Sequence, residues 1–239
     1  ELGREEKRQA YEFFADLLKA IERAKIEGYV PDGFMEDRAK RLLGDDVFFS
    51  ILPEEPSELM QTMIVEAVKR GIYASYKGEI DYSDQLYMPT IFPCNFHQFD
   101  VTLVDEAQDL SELNHAMVRK MVRQGRLIAV GDPCQSIYAF RGAHEESMPM
   151  LQQAFDMQEL FLTTTFRCPI AVVKEALWRA PAMQWPEWAK PGTVQRFTEW
   201  DKDALPNSAV IICRNNAPLF SMAIRLLKEG RAPELVGND

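Results

Sequence analysis

The sequence lacks the features of a membrane protein, of a zinc site and of a disulfide-bonded scaffold. No stretch approaches the roughly 18 uninterrupted apolar residues of a membrane-spanning helix, so no membrane partner is expected. The chain has only three histidines, and its four cysteines form no CxxC pair, which disfavours a zinc site. The scattered thiols are Cys94, Cys134, Cys168 and Cys213, and they indicate reduced cysteines in an intracellular protein.

An excess of basic residues is also missing. The chain carries 27 Lys and Arg against 37 Asp and Glu, a net charge of −10. This balance excludes a broadly basic surface that coats nucleic acid, but it leaves room for a local basic groove. The 239 residues, 46% of them apolar, suffice for one large domain or two small ones. The chain opens at Glu1 without an initiator Met or a signal peptide, which predicts an excised piece of a longer protein.

The first 75 residues have the pattern of helices. Apolar residues recur at helical spacing over 5–27, and Gly28 marks the end of that segment. A second apolar-periodic segment covers about 34–43, and a third is predicted to begin at Ser57 and end at Gly71. We therefore predict an all-helical N-terminal region.

The pattern changes after residue 98. Four short apolar runs, 99–104, 126–130, 159–162 and 209–213, each end in polar residues and are separated by helical segments. This alternation predicts an α/β fold with a parallel sheet buried on both faces. Ligands of such sheets bind at the carboxyl ends of the strands, where these polar residues stand.

Asp105 and Glu106 directly follow the first predicted strand. One carboxylate could hold a hydrated Mg²⁺ while its neighbour orients or deprotonates a water. The alternative is helix capping, since Asp109 and Glu112 have the spacing of a capping box and acidic residues favour helix N-termini. For Asp105 and Glu106 both interpretations stay open at this point.

A second polar cluster, residues 131–143 (GDPCQSIYAFRGA), follows the next predicted strand. It places Gln135, Tyr138, Phe140 and Arg141 within seven residues of each other. Core packing explains Ile137 in this segment but not the Gln, the Arg and the two glycines.

The segments DEAQD (105–109) and GDPCQSIYAFRGA resemble motifs II and III of the superfamily 1 DNA helicases of the UvrD/Rep type. Residues 162–169, 212–218 and 81–86 resemble three further elements of that family, in family order. The resemblance implies a RecA-like P-loop NTPase motor domain with a parallel sheet. It predicts a helical insertion at 1–78, called 1B, the remainder of the first motor domain at 79–160, and the start of a second RecA-like domain at 161–239.

The resemblance also implies catalytic roles. Asp105 would coordinate Mg²⁺, and Glu106 would activate the attacking water. Gln135 would sense the γ-phosphate of ATP and couple it to the DNA site. Arg167 would act as an arginine finger on the charge that develops during phosphoryl transfer.

Single-stranded DNA is the partner that the resemblance implies. Tyr138, Phe140 and Arg141 would lie against the strand, where aromatic rings stack on any base. Arg214 and Asn215 would lie near the same track. The alternatives are core packing for the two rings and a solvated strand end for Arg214 and Asn215.

The phosphate-cradling sequence G-x-x-x-x-G-K-[ST] is found nowhere in the chain, and no Lys follows a Gly. Truncation explains this absence best, because Glu106, Gln135 and Arg167 are intact. The parent is predicted to be an ATP-dependent DNA helicase or translocase of DNA replication or repair, moving 3′ to 5′, in the cytoplasm or nucleoid. ATP and Mg²⁺ are expected only in that parent, and the isolated chain is predicted to be inactive. The alternative is an ATPase-dead module that binds nucleic acid or protein on the same scaffold.

Overall fold

The computed structural model describes residues 4–122, 124–136, 146–198, 205–206 and 208–236. The helices are α1 (Arg4–Ile26), α2 (Asp45–Ser50), α3 (Glu58–Tyr76), α4 (Asp84–Ile91), α5 (Glu112–Met121), α6 (Ser147–Phe155), α7 (Ile170–Ala176) and α8 (Asn216–Lys228). The strands are β1 (Val101–Val104) and β2 (Arg126–Ala129), followed by short 3₁₀ turns at Ala107–Asp109 and Pro133–Gln135, respectively. The chain forms two compact units, Glu1–Thr164 with Ala176–Gln184, and Thr165–Glu175 with Trp185–Asp239.

Helices α1, α3 and α4 surround the larger of two apolar cores in the first unit. Leu17, Ala20 and Ala24 of α1 are buried, and their spacing of three and four residues lines one helix face. Ser57 begins α3 as predicted, because its Oγ accepts the Met60 N–H at 3.3 Å. In the described part of the chain, none of the helices combines the length and the apolar character needed to cross a bilayer.

A partly buried ion-pair cluster connects α1 to α4 and to Asp81, which is exposed just before α4. Lys25 Nζ lies 2.5 Å from Asp81 Oδ2 and 2.7 Å from Asp84 Oδ1, and both Lys25 and Asp84 are buried. Burial lowers the pKa of Lys25, but the hydrogen bonds to the two carboxylates outweigh it and raise that pKa above its ordinary value. The contribution of this cluster to stability is therefore present at neutral pH and is lost at high pH as the pH rises through the raised pKa of Lys25. Against the opposing effect of burial, the hydrogen bond from Lys25 lowers the pKa of Asp81, so the contribution is also lost at low pH as the pH falls through that lowered pKa.

The two strands pair in parallel, with Val101 opposite Arg126 and Val104 opposite Ala129. The α/β class and the parallel pairing of these two runs are thus confirmed. Gly125 allows the strands to meet, because a Cβ there would lie 2.1 Å from the carbonyl oxygen of Phe99.

One side of this sheet packs on a small core and the other side is open to solvent, so the predicted burial of the sheet on both faces is wrong for β1 and β2. The buried members of that core are Ala107, Val118, Val122 and Leu151. The outward-pointing residues of the two strands are exposed, and they are Val101, Leu103 (73% exposed), Arg126 and Ile128.

Four secondary-structure expectations are wrong. Residues 34–43 contain no helix, because the chain turns there and Met35 has a left-handed backbone with φ 50°. Helix α3 continues through Gly71 to Tyr76, since a glycine inside a helix weakens it without breaking it. Residues 159–162 and 209–213 form no regular strand, because no partner strand pairs with either run among the described residues.

The second unit is organised around α7 and the segment 185–192. Residues Ile170 and Ala171 donate their backbone N–H groups to the carbonyls of Lys190 and Pro191, each at 2.9 Å. Helix α8 contributes buried Ala223 and Leu226. The domain boundaries predicted from the sequence, at residues 78 and 160, stay predictions.

Candidate functional site

The end of β1 forms a tight turn around the two adjacent carboxylates. Glu106 has a left-handed backbone, φ 50° and ψ 41°, which is strained for any residue other than glycine and is typical of functional turns. The Ala107 N–H donates to the Val130 carbonyl at 2.9 Å, which fixes this turn to the end of β2. Asp105 Oδ1 accepts the Glu106 N–H at 3.0 Å, and both carboxylate side chains are exposed.

Gln108 connects the two strand ends through its buried side-chain amide, with 3% of the residue exposed. Its Nε2 donates to Glu106 Oε2 at 2.7 Å and, at 3.4 Å, to Asp109 Oδ2. Its Oε1 accepts the Asp132 backbone N–H at 3.0 Å. A buried amide that is bonded at both ends holds the Glu106 carboxylate in one orientation.

Gln135 is tied to the same turn. Its Nε2 donates to Asp132 Oδ2 at 2.8 Å, while Asp132 Oδ1 accepts the Cys134 N–H at 2.9 Å. Gly131 permits the close approach of the Gln108 side chain to the backbone before Asp132, since a Cβ at Gly131 would lie 2.6 Å from Gln108 Oε1. Glu106, Gln108, Asp132 and Gln135 therefore form one continuous hydrogen-bonded chain across both strand ends.

A second pair of buried side chains supports the turn. Ser147 Oγ donates to the Ala107 carbonyl at 2.6 Å, and His115 Nε2 lies 2.9 Å from the same Oγ. Because the single hydroxyl proton of Ser147 goes to Ala107, His115 Nε2 must be the donor to Ser147. The turn that carries Glu106 is thus anchored to α5 and α6.

The capping interpretation of the acidic cluster is wrong for Asp109 and Glu112. Helix α5 is capped by Ser111, whose Oγ accepts the Asn114 N–H, while Asn114 Oδ1 accepts the Ser111 N–H in return. The observed capping box lies two residues after the predicted one, and Asn114 takes the part usually played by Glu or Gln. Glu106 likewise makes no side-chain capping bond.

The carboxyl group of Asp109 in this turn has a raised pKa. Burial raises the pKa of the Asp109 carboxyl, the nearby Glu106 charge raises it further, and the hydrogen bond from Gln108 lowers it in part. Asp109 Oδ1 is buried and accepts no hydrogen bond in the described structure. Two negative charges thus share one small region beside Gln108.

The other sequence-predicted residues belong to the second unit or lie outside the described residues. Arg167 belongs to the second unit, is exposed, and donates its backbone N–H to Thr165 Oγ1 at 3.4 Å. Arg214 and Asn215 are exposed at the start of α8, where Asn215 is the N-cap residue without a side-chain capping bond. The predicted DNA-contacting residues Tyr138, Phe140 and Arg141 lie outside the described residues.

Sequence reasoning overlooked Gln108. The sequence signal for it is its place inside DEAQD, two residues after Glu106 and directly before Asp109. The side-chain amide of a Gln carries two N–H donors, so a Gln between two carboxylates can hydrogen-bond both of them. This pattern predicts that the amide orients the carboxylates.

Residues 54–156 match the UvrD/REP helicase N-terminal domain family. The ATP-dependent DNA helicase srs2 of Schizosaccharomyces pombe is 29% identical over 133 residues, which cover 53% of this chain and 15% of that protein. The ATP-dependent DNA helicase Rep of Salmonella typhimurium is 30% identical over 119 residues, covering 44% of this chain and 18% of that protein.

A probable DNA helicase II homolog of Mycoplasma genitalium is 31% identical over 205 residues, which cover 72% of this chain and 28% of that protein. The chain thus spans less than a third of the length of each of these relatives. It is a relative of the UvrD/Rep-type DNA helicases, and its residues 54–156 belong to their N-terminal domain family.

Proposed function

We propose that this chain is part of the ATP-driven motor of a DNA helicase or translocase that acts on single-stranded DNA inside the cell. The observation that carries the proposal is the hydrogen-bonded chain from Glu106 through Gln108 and Asp132 to Gln135. It lies at the carboxyl ends of two parallel strands, where α/β proteins bind ligands. A RecA-like motor domain is the fold that agrees with this placement and with the family match.

Glu106 has the properties of a general base. Its carboxylate is exposed, so a water can reach it, and its orientation is fixed by the bond from Gln108 Nε2. A base fixed within hydrogen-bond reach of a water accelerates proton removal more than a freely rotating one. Gln135 shares a hydrogen-bonded path with Glu106, which supports its proposed role in sensing the γ-phosphate.

Asp105 is the residue that would hold Mg²⁺. It offers an exposed carboxylate at the strand end, and carboxylate oxygens are ligands that Mg²⁺ takes. No group of three or more potential metal ligands is found among the described residues, which fits an ion held by one or two carboxylates and substrate phosphates. When bound, Mg²⁺ neutralises charge on the transferred phosphate.

The remaining assignments complete this proposal. Residues 1–78 would be the helical insertion, 79–160 the rest of the first motor domain, and 161–239 the start of the second. Arg167 would act as the arginine finger in the second domain. Tyr138, Phe140 and Arg141, with Arg214 and Asn215, would contact single-stranded DNA while the motor moves 3′ to 5′.

The test is Glu106→Gln in the full-length parent. The amide keeps the size of the side chain but cannot accept a proton, so hydrolysis should be lost while ATP binding is retained. Glu112→Gln is the matched control, since Glu112 lies on α5 outside the hydrogen-bonded chain, and it should leave turnover unchanged. Residual turnover with lost ATP affinity would contradict the assignment.

This chain alone should hydrolyse ATP negligibly. Its sequence has no G-x-x-x-x-G-K-[ST] segment, so the β- and γ-phosphates lack the backbone N–H groups and the Lys that hold them. A steady-state ATPase assay with excess single-stranded DNA measures this. Absence of turnover in the intact parent as well would favour the ATPase-dead binding module.

A further inference from the structure

The C-terminal half of α3 presents an unusually basic and aromatic surface for so acidic a chain. Residues 69–78 contain three cations and no Asp or Glu, whereas the whole chain has a net charge of −10. We call this surface the α3 stripe. Its members are Lys69, Arg70, Tyr73, Tyr76 and Lys77.

The α3 stripe lies opposite the buried face of the helix. Ile64, Val68 and Ile72 are buried in the helical core. At about 100° per residue, the five stripe residues fall within an arc of about 120° that is centred away from this buried face. Tyr73 and Tyr76 are each 51% exposed, although a tyrosine ring is large and mostly apolar.

Both rings are held from one side by a second aromatic residue. The rings of Tyr73 and Phe34 meet edge to face with centroids 5.4 Å apart, and those of Tyr76 and Phe92 do so at 5.8 Å. Such contacts restrict the ring while half of its surface stays open. A ring that is already ordered loses little conformational freedom when a flat ligand stacks on it.

Two of the three cations are available to a ligand. Lys69 Nζ lies 3.6 Å from Glu66 Oε1 and 5.9 Å from the centroid of the Phe34 ring. Arg70 and Lys77 are exposed and form no ion pair with the residues that the structure describes. They flank the two tyrosines along the helix.

We propose that the α3 stripe is a binding surface for single-stranded DNA, in addition to the DNA-contacting residues proposed above. The choice of DNA rests on the proposed function. Open ring faces between cations suit unpaired bases with their phosphates, whereas a duplex hides its base faces. The stripe spans about 12 Å along the helix, enough for about three nucleotides.

The first test reverses the two free charges in this chain. Arg70→Glu/Lys77→Glu is compared with Arg8→Glu/Lys19→Glu, which changes the net charge equally at exposed positions of α1. Binding of a labelled oligo(dT) of about twelve nucleotides is followed by fluorescence anisotropy at several salt concentrations. Loss of two cation–phosphate contacts predicts binding about 25-fold weaker at ~0.1 M salt and a salt slope about 1.4 smaller. The two added negative charges repel the phosphates as well, so both values are minima for the stripe variant.

The second test separates stacking from charge. Tyr73→Leu and Tyr76→Leu should each weaken binding at least about fivefold without changing the salt slope, since they remove a ring but no cation. Tyr73→Phe and Tyr76→Phe should bind like the parent. Thermal melting by circular dichroism establishes that each variant is folded.

The proposal is overturned if Arg70→Glu/Lys77→Glu binds as tightly as its charge-matched control. It is also overturned if an oligo-Glu peptide of equal charge displaces the oligonucleotide equally well, because the surface would then suit an acidic protein. Phe140→Ala, measured in the same assay, separates this proposal from the proposed function. If only Phe140→Ala loses binding, the proposed DNA contact of the α3 stripe is refuted. If only the stripe variants lose binding, the proposed DNA contact of Phe140 is refuted.

Discussion

Gln108→Glu should convert the bridge between the strand ends into a pH-dependent repulsion. In the native chain the Gln108 amide donates to Glu106 Oε2 at 2.7 Å, and Asp109 Oδ2 lies 3.4 Å from the same nitrogen. The substitution replaces that donor with a carboxylate of nearly identical shape. At neutral pH the introduced carboxylate would then lie beside the carboxylates of Glu106 and Asp109, with no donor between them.

The size of the effect is set by protonation. Two unit charges 2.7 Å apart repel by about 6 kcal/mol at an effective dielectric constant of 20. The chain avoids this full cost by taking up a proton. Each unit by which a pKa rises corresponds to about 1.4 kcal/mol, so protonating a glutamic acid of ordinary pKa ~4.3 at pH ~7 costs about 3.7 kcal/mol. We expect a loss of unfolding free energy of about 3–4 kcal/mol at pH ~7.

The direction with pH follows from linkage. The shared proton has a raised pKa in the folded variant, so the variant is as stable as its neutral form at low pH and loses stability as the pH rises. Urea unfolding followed by circular dichroism at about pH 5 and about pH 8 measures this difference. Gln108→Met is the control, since it removes all three hydrogen bonds of the amide without adding a charge, and it should cost about 2–3 kcal/mol at either pH. An equal loss for Gln108→Glu at both pH values would refute the proximity of the carboxylates.

Three further predictions use the same unfolding measurement. Gly131→Ala should destabilise the chain by about 1–3 kcal/mol, because its Cβ would lie 2.6 Å from Gln108 Oε1 and 3.0 Å from the Gln108 backbone nitrogen. Gly71→Ala should instead stabilise it by about 0.5–1 kcal/mol, since apart from the local backbone of α3 nothing lies within 4 Å of the added Cβ, and a loss would contradict the continuous helix. Lys25→Met should cost about 3–5 kcal/mol of unfolding free energy, because it leaves Asp84 buried without its cation. Adding Asp84→Asn should recover most of that loss. If it recovers none, the aliphatic part of Lys25 stabilises the contact and its charge does not.

The local part of this structure could be predicted from the sequence, since its signals are local. Ser57 caps a helix by a contact three residues away, and the two apolar runs that end in Asp105 and Gly131 pair as parallel strands. The run 159–162 has the same composition, but a strand exists only when another strand pairs with it. Composition alone cannot supply that partner.

The sequence predicts the two outer residues of the hydrogen-bonded chain, Glu106 and Gln135, but not the residues that connect them. Glu106 and Gln135 stood out because each follows a strand end with unusual chemistry. Gln108 donates directly to Glu106, but it reaches Gln135 only through Asp132, which is 24 residues away from Gln108 in sequence. Such a contact depends on the register of two strands and on the absence of a Cβ at Gly131, and neither can be read from a single short segment.

The open side of the two-stranded sheet has a practical consequence for the handling of this chain. Val101, Leu103 and Ile128 present aliphatic groups to water beside strand edges that pair with no further strand among the described residues. This arrangement promotes self-association into aggregates. Mutual repulsion from the net charge of −10 opposes this association in solution. Added salt shortens the range of that repulsion from about 10 Å at ~0.1 M to about 3 Å at ~1 M, so concentrated stocks should keep best in dilute, mildly alkaline buffer.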